Sequence, residues 1–322
     1  MIKILQIREN LPGGTDNYCK GLHKLLGKDA ECQVLPVSDI PQMPSRLYHY
    51  SYQERVLQPY IESADIIHVN GYTAQGTIDA MRFAHRLGKK VVYTGHWHPF
   101  HCLRHPFLGK LFFDLKMKRA IEKYADAVTT INHEDTRFFS SIHPRVVQIP
   151  HWNEFQEEYN RNVDRNPRMI LFVGRIDDPV KGFEQLYALT EGLYDIHCVG
   201  TGEISMTRKD MTQHTNIPTE DLLELYRKAS LLVVPSKYEA FSFVALEALS
   251  QGTPVVMSDR VRIADYLEGI EGYAVYRYGD SRDFVDKVAR QVGTNVDVES
   301  VRHIFDSREI AKKYKELYLS LV

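Results

Sequence analysis

Between Leu231 and Met257 the chain alternates in a way that few folds accept. Leu231–Val234 is a short apolar run stopped by Pro235, Phe243–Ser250 has helical spacing with an apolar inner face, and Gly252-Thr253-Pro254 leads into Val255-Val256-Met257. Strand, helix and strand in so short a stretch predict a parallel sheet, because parallel neighbours need a crossover and a helix usually makes it. The loop Ser236–Ser242 opens that helix, so unpaired N–H groups and the positive end of the helix dipole are offered to an anion. Glu239 falls in the loop and Glu247 inside the helix; eight helical residues span about 12 Å, the reach from a sugar across a diphosphate to a ribose. The residues alone allow two readings, a bed for a nucleotide sugar or an acidic helix start whose glutamates favour the dipole.

Size and composition set the frame. The 322 residues suit two domains of about 150 residues each. A hydrophobic content of 43%, a charged content of 25% and a net charge of −2 describe an ordinary globular chain with no global pull toward nucleic acid. Cys19, Cys32, Cys102 and Cys198 show no paired spacing, which fits a reducing compartment and a cytoplasmic location. No signal peptide and no apolar run near 18 residues is expected.

In the first half, Met1–Ile7 reads as a strand, followed by Gly13-Gly14 where a backbone can approach a ligand closely. Thr15 or Asp16 is the expected cap of the helix through Tyr18, Leu22 and Leu25. Residues 36–60 read as a loop with a short helix, 66–69 and 90–94 as strands, and 74–87 as a helix. The second of these strands ends at Thr94-Gly95-His96, where ligands of open α/β sheets bind. Four histidines (His96, His98, His101, His105) and Cys102 cluster here, but without a zinc-ligand spacing, and no metal is expected. Residues 107–124 predict one helix with Lys110, Lys116, Lys118, Arg119 and Lys123 among apolar positions. It either packs on its own sheet with lysines in water or lies on anionic lipid. Strands at 127–131 and 146–149 follow, and 154–167 is the expected linker.

The second half restarts with Met169–Gly174, then Arg175 and Lys181, a planar fork and a point charge at a strand's carboxyl end that suit a diphosphate. Ile196–Val199 ends in Gly200-Thr201-Gly202. Thr219 is the expected cap of a helix over 221–229, and helices are expected at 281–292, 298–305 and from Ser307 to the end.

Taken together, Ser236–Glu247, Val173-Gly174-Arg175 with Lys181-Gly182, Gly13-Gly14 and Thr94-Gly95-His96 resemble retaining glycosyltransferases of family 4 and their Glu-x7-Glu motif. Trp152 stands where that family usually has glycine, and Ser242 where many members have it. The resemblance implies an α/β GT-B fold of two facing Rossmann-like domains: residues 1–155 with the terminal helix 307–322 on the acceptor side, and 168–306 binding the nucleotide sugar. It implies retaining transfer of a sugar, expected to be UDP-linked, to a glycan or lipid-linked acceptor, with neither metal nor cofactor. It assigns Glu239, His96, Arg175 and Lys181 to the chemistry. Gly13, Gly14, Gly174, Gly200, Gly202, Phe241, Ser242, Phe243, Val244 and Glu247 join Arg175 and Lys181 around the donor, and Asp16, Asn17 and His98 lie by the acceptor. Peripheral contact with the inner membrane face is kept as a further expectation. The competing readings are a non-catalytic nucleotide-sugar-binding subunit of a polysaccharide assembly complex and a GT-B epimerase. A phosphorylase lacks its pyridoxal lysine motif here, and neither half has the complete Gly-x-Gly-x-x-Gly of a dehydrogenase.

Overall fold

A computed structural model of the chain describes residues 1–8, 14–27, 30–36, 49–71, 75–96, 110–111, 113–153, 163–204 and 208–322. These fall into two compact units, Met1–Trp152 with Ser307–Val322, and Asn153–Asp306. No helix among the described residues is long and apolar enough to cross a membrane.

The first unit is built on β1 (Ile2–Arg8), β2 (Ala30–Pro36), β3 (Ile66–Asn70), β4 (Lys90–Thr94), β5 (Ala127–Thr130) and β6 (Val146–Gln148). They pair in the order β2-β1-β3-β4-β5-β6, every pair parallel. Successive side chains of a strand point to opposite faces, and the two cores follow from that. Leu5, Ile7, Ile67, Val69, Val91 and Tyr93 meet Ile61, Met81 and Ile121 in one core. Ile4, Ile66, Val92 and Ala127 meet Tyr18, Leu22 and the last helix in the other. That helix, Ser307–Leu319, presents Ile310, Tyr314, Leu317 and Tyr318, spaced four, three and one residues apart to make a single buried stripe. Trp152, at the position where glycine was the expected residue, is 3% exposed in this second core and packs on Tyr18.

The second unit contains β7 (Asn166–Val173), β8 (Asp195–Val199), β9 (Met211–His214), β10 (Ala229–Val234), β11 (Val255–Ser258) and β12 (Tyr273–Tyr276). Their order is β12-β11-β10-β7-β8-β9, again all parallel. Central β10 is buried at all six positions and reads as a continuous apolar run, as a strand covered on both faces must.

Several expectations are corrected. Strands β2, β9 and β12 have no counterpart in the sequence reading. All three are sheet edges; in β2 and β9 polar residues such as Glu31, Gln33, Thr212 and Gln213 are tolerated, so the apolar signal is thin, while β12 is only four residues long. The short helix expected in 36–60 is the fifteen-residue helix His49–Ser63. Thr219 does not cap a later helix: it is the first residue of Thr219–Lys228, with Pro218 at the cap position and no side-chain cap bond. Neither Thr15 nor Asp16 precedes the first helix, which already begins at Gly14. The helix expected over 107–124 is described at Lys110–Leu111 and from Phe113, where a five-residue π turn (Phe113–Met117) runs into Lys118–Tyr124. The expected linker is described only from residue 163. There Arg165 donates to the carbonyls of Ala229 and Gln251 and to the Thr253 hydroxyl, and Asn166 already begins β7.

Gly182 is fixed by both space and conformation, as are Gly202 and Gly272. Gly182 has φ +67°, and a Cβ there would lie 2.0 Å from the carbonyl oxygen of Pro235. Gly279 has a similar φ of +83° with nothing within 4 Å. Gly279→Ala is therefore expected to cost only the left-handed penalty, about 1–2 kcal/mol. Gly182→Ala adds backbone overlap and should cost about 1–3 kcal/mol more. Thermal unfolding of the two variants side by side checks this, and equal losses would show that the turn after β7 does not need that close approach.

Candidate functional site

In the second sheet the chain runs from β7 outward through β8 to β9, then returns to β10 on the other side of β7. The turns leaving β7 and β10 therefore part in opposite directions, and ligands of open α/β sheets bind at such a switch point. The two turns are joined by three bonds, and a fourth, from Ser236 to Glu239, lies within the second turn. Lys237 N–H donates to the Val180 carbonyl at 2.7 Å, and Gln185 Nε2 to that of Pro235 at 2.9 Å. Lys181 Nζ donates to Glu239 Oε1 at 2.9 Å, and Ser236 Oγ to the same oxygen at 2.7 Å. Both ends of the Glu239 backbone are held as well: its N–H donates to the Arg260 carbonyl, and its carbonyl accepts from Arg262. The Glu239 carboxylate raises the pKa of Lys181, outweighing the opposing effect of burial, so the ammonium stays charged.

Ser242 is the N-cap of helix Phe243–Ser250, its hydroxyl accepting from Ala245 N–H at 3.3 Å. The N–H groups ahead of Ala245 belong to the helix's first turn, which has no intrahelical acceptor for them. Phe241 is buried against Tyr266 and Phe305, whereas Phe243 and Val244 are half-buried. Four residues on, Glu247 accepts through Oε2 from the buried Tyr226 hydroxyl at 2.8 Å. Burial first, and then the Glu247 charge, push the Tyr226 hydroxyl well above the usual phenol range, so it remains a donor. Arg175 is exposed and forms an ion pair with Asp178. Gly200 has a structural reason of its own, since a Cβ there would lie 1.9 Å from the Gly174 carbonyl oxygen. Gly202 is close to the Asp177 backbone in the same way.

The first unit has its switch point between β1 and β3. Gly14 starts the helix that leaves β1; Gly13 and His98 lie outside the described residues. Asp16 is engaged by Arg8 at 3.0 Å and Lys20 at 2.8 Å, and Asn17 is exposed. His96 follows β4 with φ +57°, a left-handed conformation that non-glycine residues seldom adopt. Its Nε2 lies 2.9 Å from Asn70 Oδ1. Because Asn70 Nδ2 donates to the His68 carbonyl, the amide presents its oxygen to His96. Nε2 must then carry the proton, and Nδ1 is the acceptor. Tyr18 packs edge-on to His96 at 4.4 Å, and His151 is parallel to it at 6.2 Å. Among the described residues no group of three or more His, Cys, Asp or Glu side chains is placed to hold a metal ion.

The structure thus brings Lys181 and Glu239 into contact, sets the Phe243–Ser250 helix mouth beside the same turn, and pairs Arg175 with its own loop. Sequence reasoning missed Ser236, Tyr226, Asp178 and Asn70. Asn70 and His68 left a usable signal, being polar residues in a five-residue strand otherwise of isoleucine and valine. Tyr226 left none, since nothing local links it to Glu247.

Residues 167–293 match the family described as Glycosyl transferases group 1. An uncharacterised glycosyltransferase of Methanocaldococcus jannaschii is 33% identical over 111 residues, 30% of this chain and 28% of its own length. The chain thus spans little more than a quarter of that relative. The GDP-mannose:cellobiosyl-diphosphopolyprenol alpha-mannosyltransferase of Xanthomonas campestris is 24% identical over 287 residues, 80% of this chain and 74% of that one. Among solved structures, HepE of Anabaena in complex with UDP and glucose superposes with a TM-score of 0.74 at 15% identity, covering 100% of both chains. The fold is therefore GT-B, two Rossmann-like α/β units with parallel sheets.

Buried imidazoles make the first unit sensitive to acid. Burial pushes His68 and His96 down to about 3 and His151 well below its usual value. Below pH 6.5 the unfolded chain takes up protons that the folded unit refuses. Stability is therefore full above about 6.5 and is lost as pH falls toward 3, by about 1.4 kcal/mol per pH unit for each such group. Urea unfolding at pH 7.5, 6 and 5 should show this slope, and a flat profile would mean that these rings take up protons in the folded state.

Proposed function

We propose that this chain is a retaining glycosyltransferase that moves a sugar from a nucleoside diphosphate, expected to be UDP, to a glycan or lipid-linked acceptor. The observation that carries the reading is the meeting of Lys181 and Glu239 at the switch point beside the mouth of helix Phe243–Ser250. A cation, a carboxylate and a helix N-terminus are the three elements a sugar diphosphate calls for: amides and ammonium for phosphate oxygens, carboxylate for sugar hydroxyls. The match of residues 167–293 supports it, as does the UDP in the Anabaena structure; GDP, named in the Xanthomonas relative, is the rival base.

In this reading the bond between the anomeric carbon and the diphosphate breaks, and negative charge grows on the departing oxygen. Lys181, Arg175 and the first amides of the helix stabilise that charge more in the transition state than in the ground state. The acceptor hydroxyl attacks from the face the diphosphate leaves and gives its proton to a departing phosphate oxygen. Glu239 is not assigned as a nucleophile: its Oε1 holds Lys181 and Ser236 and suits hydroxyl recognition. His96, neutral and with Nδ1 as acceptor, suits a hydroxyl at the first unit's own switch point, and Glu247 the ribose. No metal or cofactor is assigned a role.

A thermal-shift panel of UDP, GDP, ADP and their sugar conjugates tests the class. A ligand at about 100 times its Kd adds about 2.7 kcal/mol of stability, so one base should stand out. No response to any nucleoside diphosphate sinks the proposal. Given a donor, Lys181→Ala and Arg175→Ala should each lower turnover by about 100-fold, as loss of an oxyanion donor does. Wild-type turnover in both overturns the phosphate assignment. Glu247→Ala should raise the Kd for the donor by about tenfold, on the scale of one lost hydrogen bond to a charged group. An unchanged Kd by calorimetry removes the ribose role.

A further inference from the structure

Asn70 ends β3, buried between β1 and β4, and its backbone is set by both neighbours: it pairs with Arg8 on one side and Thr94 on the other. Gly71 N–H then closes on the Thr94 carbonyl at 3.0 Å. His68, two residues earlier, shares its face of the strand with Ile66, the face that the terminal helix covers. The His68 ring is satisfied on both sides, by the Tyr318 hydroxyl at 2.8 Å and the Thr94 hydroxyl at 2.7 Å. It completes a buried network and needs no further role. Asn70 is different, because the two ends of its amide are unlike and each is committed. Nδ2 donates to the His68 carbonyl at 3.2 Å, which leaves Oδ1 facing His96 Nε2 at 2.9 Å. Turning the amide over would set its oxygen against that carbonyl.

His96 is held from its other sides as well. Tyr18 packs edge-on to the ring at 4.4 Å, and the Tyr18 hydroxyl donates to Tyr314 of the terminal helix at 2.8 Å. His151 lies parallel at 6.2 Å. The residue keeps a left-handed φ of +57° while half-buried, a conformation that its surroundings have to impose. Burial keeps the imidazole neutral, so it has one ring proton to place, and the hydrogen bond made by one nitrogen decides the state of the other.

We infer that Asn70 is a positioning residue for His96: its amide oxygen holds the ring proton at Nε2, so Nδ1 stands as a permanent acceptor that takes a hydroxyl and repels an anion. The pairing itself does not depend on the transferase reading, whereas its effect on turnover rests on it. Nitrogen-15 histidine labelling of the full chain, with H96Q to identify the signals, reads the tautomer directly. In the wild type Nε2 is expected to carry the proton. A proton on Nδ1, or rapid averaging over both nitrogens, overturns the inference without any Asn70 variant having to fold. In N70A the two ring nitrogens should move toward an average, and unchanged signals overturn the inference too. With the donor identified by the nucleotide panel, N70A should lower kcat/KM about tenfold, on the scale of one lost hydrogen bond. In the H96Q background it should lower it no further, because residues that act through one another are not additive. Equal losses in both backgrounds make Asn70 a merely structural residue and overturn the proposal. A wild type without turnover on any donor counts against the transferase reading alone, and the tautomer measurement then decides.

Discussion

The ion pair between Lys181 and Glu239 is the contact around which the second unit's site is arranged. It joins the turns that leave adjacent strands in opposite directions, and it is only partly withdrawn from water, Lys181 being 30% and Glu239 15% exposed. A pair in that position gives little net stability, since desolvation offsets most of the Coulomb attraction. Its worth lies in placement. Backbone bonds on both sides of Glu239, and the glycine at 182 lying against Pro235, hold the carboxylate where the ammonium meets it. The charges are therefore preset beside the helix mouth.

The first unit sets a different balance. His68 joins Tyr318 through Nδ1 at 2.8 Å and Thr94 through Nε2 at 2.7 Å, and Tyr18 donates to Tyr314 at 2.8 Å. These bonds satisfy polar groups that would be costly if left unpaired in the core. They also tie the terminal helix to the strands whose ends carry Asn70 and His96. The last helix is thus part of the first unit for two reasons, an apolar stripe at helical spacing and hydroxyls that complete a buried network. Neutral imidazoles are the consequence, and the acid sensitivity of the unit follows from them.

How much was legible can be argued from particular residues. The Phe243–Ser250 helix is legible to the residue because a proline stops the strand before it and a glycine follows its apolar face. Edge strands β2 and β9 are not, because a strand with one neighbour needs less apolar sequence, and β12 is too short to stand out. Thr219 misled because a threonine directly before an acidic turn resembles a cap, while the preceding proline already fixes the entry to the helix. Trp152 was marked as a departure, but its purpose was visible only once Tyr18 and the terminal helix were placed against it.

The sequence by itself determined the class of architecture and the chemical vocabulary of the site. Alternating apolar runs and helical segments leave a parallel sheet as the economical solution, and Gly174-Arg175, Lys181 and Glu239–Glu247 follow strand ends that such a sheet must gather on one edge. Only the tertiary structure decided which of these groups touch. Lys181 reaches Glu239 across 58 residues and Tyr226 reaches Glu247 across 21, whereas Arg175 turns to Asp178 three residues away. Local propensity carries no information about such pairings, because they are set by the order in which strands are laid beside one another, and that order is fixed by the packing of the whole sheet.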